Sequence, residues 1–315
     1  MFEIIQDDLA AFEKRLASEL QSSVAFISAI GEDLVGAGGK RLRPSLAFLA
    51  GRLLGTGREQ ALQVAVAVEL LHSASLLHDD LIDDATTRRG HEAAFRRYGN
   101  VVSVMSGDYM LARVLGVLAQ ADHAGFTALM SQTAAQICEA EVLQFQMASL
   151  ETYAFASYDK IIEGKTAALV SAALEGVAML ARAPEADREA LRRYGLHYGR
   201  AFQMQDDYLD LLGSEAQLGK PVGGDLREGK ATYPVLLLLD DGVEEAGAIL
   251  RRHAGTPGDV ARMIALVEEY GADVRTREQI VAEATRALAA LERFAESEAK
   301  EGLEHLARRE IERIR

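Results

Sequence analysis

The sequence predicts an all-α protein, and three observations carry that prediction. Only five prolines occur in 315 residues and tryptophan is absent. Ala, Leu, Glu and Arg, all good helix formers, fill long stretches. Strand patterns, by contrast, are scarce.

Taken in order, helices are expected over about 3–30, 41–54, 60–84, 93–120, 124–148, 152–162, 165–182, 186–212 and 230–240, with shorter ones after 243. Each runs between turn-forming residues. Gly31 to Gly39 closes the first and Gly55 to Gly57 the second; Ala183-Pro184 precedes the long helix at 186. Gly213 to Gly224 follows that helix, and Pro257-Gly258 marks a later break. None of these reads as a linker between domains, so residues 1–315 are expected to form one all-helical domain.

Hydrophobic residues make up 49% of the chain and charged residues 26%, a balance that builds a packed core. The formal charge of −14 excludes nucleic acid as the main partner, because phosphate backbones are bound by basic stripes. Cys138 is the single cysteine, so no internal disulfide can form, and a cytoplasmic location with a small core role for Cys138 is expected. No signal-peptide pattern is read at Met1 to Asp8. The most apolar stretch, Ala61 to Leu77, carries Gln63, Glu69 and His72 and is expected to be a buried helix, not a membrane span.

Two acidic clusters carry the chemistry. The first is His78-Asp79-Asp80-Leu81-Ile82-Asp83-Asp84, in which Asp79 and Asp83 share one helical face. Like charges four residues apart repel, so the cluster calls for a counter-charge. Mg²⁺ suits it, because that ion bridges carboxylates and substrate phosphates. The second is Gln203-Met204-Gln205-Asp206-Asp207-Tyr208-Leu209-Asp210, with the same spacing between Asp206 and Asp210. Either alone could be a solvated helix end. Two D-D-x-x-D clusters on apolar helices point to two metal-holding walls around one diphosphate.

Basic residues accompany both clusters. Arg88 and Arg89 follow the first, and Lys220 and Lys230 follow the second across a glycine-rich segment. Lys40 and Arg43, in Gly38-Gly39-Lys40-Arg41-Leu42-Arg43-Pro44, stand at a loop-to-helix junction, where backbone amides and cations together favour phosphate.

From Gly38 to Pro234 the pattern resembles the trans-isoprenyl diphosphate synthases, or polyprenyl synthetases. The landmarks are the Gly-Gly-Lys-Arg-x-Arg-Pro run at 38–44, His72, the first aspartate motif with Arg88-Arg89-Gly90, Gly164-Lys165-Thr166, Phe202-Gln203, the second motif, and Asp225-Leu226 leading to Gly229-Lys230. The resemblance implies a helical bundle of the isoprenoid-synthase type around a central cavity, a homodimer, and magnesium, with three ions beside a bound allylic diphosphate. It places the metal chiefly on Asp79, Asp83 and Asp206, with Asp80, Asp207 and Asp210 in support. It assigns Arg88, Lys165, Lys220 and Lys230 to the allylic diphosphate, and Lys40, Arg43, His72 and Arg89 to isopentenyl diphosphate. Thr166 and Gln203 support the reacting end of the allylic substrate. Tyr233 departs from the leucine many members carry, at a position outside this set.

In such enzymes the helix before the first motif lines the product tunnel. Here Ser75 and Ala74 stand four and five residues before Asp79, with Leu71 one turn further back. Each turn advances about 5.4 Å, near the length of one isoprene unit, so a bulky residue at a given turn would stop growth at a corresponding length. In the family aromatic residues just before the motif go with short products, and the resemblance of Ala74 and Ser75 to the open pattern of longer-chain synthases implies products of roughly thirty to fifty carbons. An octaprenyl chain, grown from farnesyl or geranylgeranyl diphosphate, falls within that range. Phe48, Phe126 or Met130 could supply a deeper floor. Three alternatives remain: a farnesyl or geranylgeranyl diphosphate synthase, a class I terpene cyclase, and a non-catalytic partner subunit. The second diphosphate set argues against a cyclase, and two complete aspartate motifs argue against a silent subunit.

Overall fold

In the computed structural model, residues 3–36, 41–85, 87–88, 91–214 and 221–313 are described. Lys40, Arg89 and Lys220, and with them Gly38, Gly39, Gly90 and Gly219, lie outside these residues. The described chain is helical almost throughout. A 3-10 turn, Glu3–Ile5, leads into α1 (Gln6–Glu19), α2 (Ala25–Gly36), α3 (Leu42–Leu53) and α4 (Arg58–Ile82). Next come α5 (Ala94–Tyr98), α6 (Asn100–Ala121), α7 (Ala124–Leu150) and α8 (Phe155–Ile162). A π-helical turn, Glu163–Ala167, joins α8 to α9 (Ala168–Leu180), and α10 (Glu185–Leu212) follows. The remainder is α11 (Gly224–Arg227), α12 (Tyr233–Asp240), α13 (Glu244–Arg251), α14 (Asp259–Glu269), α15 (Ala272–Ala290) and α16 (Glu298–Glu312).

Three local departures from the sequence reading have physical causes. The first expected helix is two: Ser22 Oγ accepts from Val24 N (3.1 Å), and Ser28 Oγ both accepts from Ser22 N (3.0 Å) and donates to Ser22 O (2.8 Å). These serine bonds take the place of helical ones and end α1. The break expected at Gly31 does not occur; that glycine lies inside α2, where a Cβ would come within 3.0 Å of the Leu20 Cβ. The helix expected over 93–120 is divided by Gly99, whose φ of 85° suits glycine alone. A short antiparallel hairpin, β1 (Thr87–Arg88) with β2 (His91–Glu92), interrupts the all-helical pattern after the first aspartate motif.

The chain clusters into two compact units. One comprises Met1–Ala134, Leu169–Arg192 and Arg293–Leu303; the other comprises Ala135–Ala168, Arg193–Glu292 and Glu304–Arg315.

The first unit is built around α4. That helix buries Val64, Ala65, Val66, Ala67, Val68 and Leu70 and packs most extensively against α6 and α3. At its C-terminal end Ser103 Oγ donates to Leu77 O (3.3 Å) and His78 Nε2 donates to Val104 O (3.2 Å). The imidazole fits because residue 107 is glycine; a Cβ there would stand 2.4 Å from Nε2. By length and composition α4 and α6 could each cross a membrane, yet 67% of the most apolar window of α4 is buried inside the protein. This is the buried helix the sequence predicted.

The second unit has its own core, in which Met204, Leu209, Leu236, Leu238, Ile249, Leu266 and Ile280 are buried. Tyr194 and Tyr198 stack along α10 at 5.8 Å between ring centroids. An ionic cluster ties α10 to α8 and α15: Glu283, 2% exposed, accepts from His197 Nδ1 (2.7 Å) and Arg286 (2.6 Å), while Arg200 pairs with Asp159 (2.9 Å). Cys138 is exposed on α7, which turns Ile137 inward instead; the core role expected for that cysteine is therefore corrected.

Candidate active site

In the first unit the acidic cluster occupies the last turn of α4 and the residues just past it. Asp79 is half-buried, Asp80 is buried, and Asp83 and Asp84 are exposed. Asp83 N donates to Asp79 O (2.8 Å) and Ala85 N to Asp80 O (2.9 Å), which closes the helix. Asp84 turns to a φ of 50° and pairs with Arg96. The negative end of the helix dipole thus points into a run of carboxylates, whose mutual repulsion and unfavourable place on the dipole a divalent cation would relieve. Leu71 (4% exposed) and Ala74 (1%) face the packed interior, whereas Ser75 keeps some exposure and donates to His72 O (2.9 Å). His72 itself is half-buried.

Arg43 is half-buried in the first turn of α3. Its neighbour Arg41 takes a left-handed conformation and pairs with Glu13 (2.6 Å) and Glu69 (3.2 Å), so of the basic run at 40–43 this residue serves the fold. Arg88 lies in β1, paired with His91 of β2.

In the second unit Lys165, Thr166, Gln203, Asp207 and Lys230 are gathered near one cavity of about 190 Å³, lined among others by Tyr153, Tyr158, Lys165, Gln203, Asp207 and Lys230. The π turn carries Lys165 and Thr166, and two glycines make room for it. A Cβ on Gly164 would meet Gln136 O at 2.5 Å, and one on Gly199 would meet the Ala167 Cα at 2.5 Å. Lys165 Nζ pairs with Glu141 (2.6 Å) and donates to Gln144 Oε1 (2.7 Å), both on α7.

The second aspartate motif lies at the C-terminal end of α10, repeating the dipole arrangement of the first. Asp206 is exposed; Asp207 and Asp210 are buried. Asp207 accepts from Tyr158 OH (2.7 Å) and Gln203 Nε2 (2.8 Å), and Gln203 Oε1 in turn accepts from Thr166 Oγ1 (2.5 Å). Burial pushes the Asp207 carboxyl up to about 6, against the lowering effect of those two hydrogen bonds. Burial also raises the Tyr158 phenol, helped by the charge of Asp207, which keeps it a donor. Asp210 accepts from Asp225 N (2.9 Å), and Lys230 N donates to Asp225 O (2.9 Å). Asp225 keeps some exposed surface, yet crowding by protein, with Asp207 and Asp210 as further negative charges, pushes its carboxyl up to about 8.

The sequence profile of polyprenyl synthetases matches residues 24–269. The chain belongs to the polyprenyl synthetase family. It is 36% identical over 313 residues to an all-trans-nonaprenyl-diphosphate synthase (geranyl-diphosphate specific) of Rhodobacter capsulatus, covering 98% of this chain and 96% of the relative. It is 33% identical to the octaprenyl diphosphate synthase of Escherichia coli strain K12, over 99% of this chain and 98% of that one. Its fold is similar to the crystal structure of a polyprenyl synthase from Caulobacter crescentus CB15 complexed with calcium and isoprenyl diphosphate. The TM-score is 0.91 at 37% identity, over 99% and 96% of the two chains. The protein is therefore a prenyltransferase with the all-α isoprenoid-synthase fold.

The donor set of this polyprenyl synthetase fits magnesium. Among the described residues no group of three carboxylate, imidazole or thiol ligands is gathered for one ion. Mg²⁺ asks for fewer, since it keeps several waters and is completed by substrate phosphates beside one or two carboxylates. Carboxylates crowd the C-terminal ends of α4 and α10, and Asp207 of α10 with the nearby Asp225 is held above the normal range, chiefly by burial; a bound cation would relieve that charge.

Four participants escaped the sequence reading: Glu141, Gln144, Tyr158 and Gly199. Glu141 and Gln144 are three apart on one face of α7, a spacing that makes a joint contact possible but does not name Lys165 as its partner. Tyr158 precedes Lys165 by seven residues, and the intervening π turn hides their common direction.

Proposed function

We propose that this chain condenses isopentenyl diphosphate with an allylic diphosphate, farnesyl or geranylgeranyl, to give an all-trans polyprenyl diphosphate of roughly thirty to fifty carbons. The observation that carries the reading is the joined set Lys165, Thr166, Gln203 and Asp207 beside one cavity, in a chain of this family.

In the reaction the allylic C1–O bond breaks and its electron pair leaves with diphosphate. The double bond of isopentenyl diphosphate attacks the resulting cation, a C–C bond forms, and a proton passes to the departing diphosphate. Asp79, Asp83 and Asp206, supported by Asp80, Asp207 and Asp210, would hold three Mg²⁺ ions. Bound there, magnesium neutralises the leaving diphosphate. Arg88, Lys165, Lys220 and Lys230 hold that diphosphate. Lys40, Arg43, His72 and Arg89 hold the second one, which sets the two carbons against each other. Lys165 must exchange Glu141 for phosphate as substrate enters, so its charge is compensated in both states.

The test is incubation of labelled isopentenyl diphosphate with an allylic primer and Mg²⁺, followed by chromatography. Label is expected in a chain longer than twenty carbons, and none after chelation with EDTA. Consumption of the allylic diphosphate without incorporation of label would instead identify a cyclase.

A homodimer in the cytoplasm belongs to the same reading. Val101 (76% exposed), Met105 (56%) and Leu115 (66%) form an apolar stripe on α6, as Val142 (65%) and Phe145 (71%) do on α7, and a second copy would cover such surface. Light scattering is expected to give twice the chain mass of 34.1 kDa; a single-chain mass removes the dimer.

A further inference from the structure

We propose that Tyr158 is a positioning residue of the transfer reaction: through Asp207 it fixes the amide of Gln203 and thereby the hydroxyl of Thr166. The inference rests on the prenyl-transfer reading of this site.

Tyr158 is 3% exposed, and its ring packs against Tyr233 at 5.8 Å between centroids. Its hydroxyl donates to Asp207 Oδ2 (2.7 Å). The carboxylate accepts only, so its other oxygen, Oδ1, takes the Gln203 NH₂ (2.8 Å). With that nitrogen committed, the Gln203 carbonyl oxygen is the end left for Thr166, and it accepts from Oγ1 (2.5 Å). The direction of every donation is thus settled by the first. Rotating the Gln203 amide would set its oxygen against Asp207, acceptor facing acceptor. Among the described residues, the hydrogen bonds that hold the Asp207 carboxylate come from Tyr158 on α8 and Gln203 on its own helix. The tyrosine is therefore the outside anchor of the chain, held by core packing on α8, apart from α10, which carries Asp207 and Gln203.

Tyr158→Phe removes one oxygen and keeps the ring. In steady-state assays with Mg²⁺ and both diphosphates, turnover is expected to fall about tenfold or more, the effect of one lost hydrogen bond to a charged group. KM for either substrate is expected to stay within about twofold, since the diphosphate-binding cations are untouched. In a Gln203→Ala background the same change should cost almost nothing further, because the two residues act through one chain. Unchanged turnover for Tyr158→Phe, or an equal additional loss in the Gln203→Ala background, overturns the proposal. A crystal structure of Tyr158→Phe gives a reading independent of activity. A displaced Gln203 amide and a broken contact to Thr166 support the anchor, and an unchanged arrangement sinks it. Failure of the wild-type chain to elongate any primer would count against the prenyl-transfer reading alone.

Discussion

Replacing Asp79 by asparagine is expected to lower turnover at least about a thousandfold while leaving the fold intact. Asp79 is half-buried in the last turn of α4, with its neighbours in the motif either buried or exposed around it. Asparagine keeps the shape but removes one unit of negative charge. The helix should gain slightly, since a carboxylate at the negative end of the dipole and four residues from Asp83 is repelled by both. Stability and activity are thus predicted to move in opposite directions. Thermal melting without magnesium should be equal to or above that of the parent, and the magnesium concentration giving half-maximal rate should rise. A variant that loses activity together with melting temperature would show that Asp79 serves packing instead. Asp206→Asn in the second motif is expected to behave the same way, because Asp206 is exposed at the end of α10 in the same electrostatic setting.

What the sequence made legible followed from local chemistry. Helix type was readable because good helix formers fill long runs and strand patterns are scarce, as in α4, α7 and α10. Both aspartate motifs were readable because four-residue spacing fixes a helical face, and the structure puts both at helix C-termini. The breaks that were missed depend on side chains acting at a distance. The Ser22–Ser28 bonds end α1, and Gly31 stays helical because Leu20 packs on it, neither of which follows from residue type. The same holds inside the site. Lys165 and Thr166 were identifiable, but the π turn that presents them depends on Gly164 meeting Gln136 and Gly199 meeting Ala167, contacts between residues remote in sequence. Tyr158 remained hidden for that reason: a buried tyrosine is ordinary until its hydroxyl is seen on Asp207.

Ser75→Phe is expected to shorten the product to roughly fifteen or twenty carbons, a change of identity and not only of rate. Ser75 stands one turn before Asp79 and keeps some exposure, so a phenyl ring there can project beyond the helix without displacing core atoms. Among the described residues its present hydroxyl bonds to His72 O within the same helix, a contact whose loss costs little. Ala74 differs from the sequence expectation in this respect. At 1% exposure it has no free surface, and a ring in its place would overpack the interior at a cost of about 1–3 kcal/mol. Leu71, at 4%, is similarly enclosed. The two phenylalanine variants therefore separate two effects: Ser75→Phe should shorten the chain at near-parental stability, whereas Ala74→Phe should lower the melting temperature whatever it does to length. Deeper along α4, Phe126 packs where Gly176 leaves room beside Val64, about three turns from Ser75, and it is fully buried. Phe126→Ala would open space there, so it is the control for direction: products no shorter than the parent's. If Ser75→Phe yields the parental length distribution, the growing chain does not run along this face of α4.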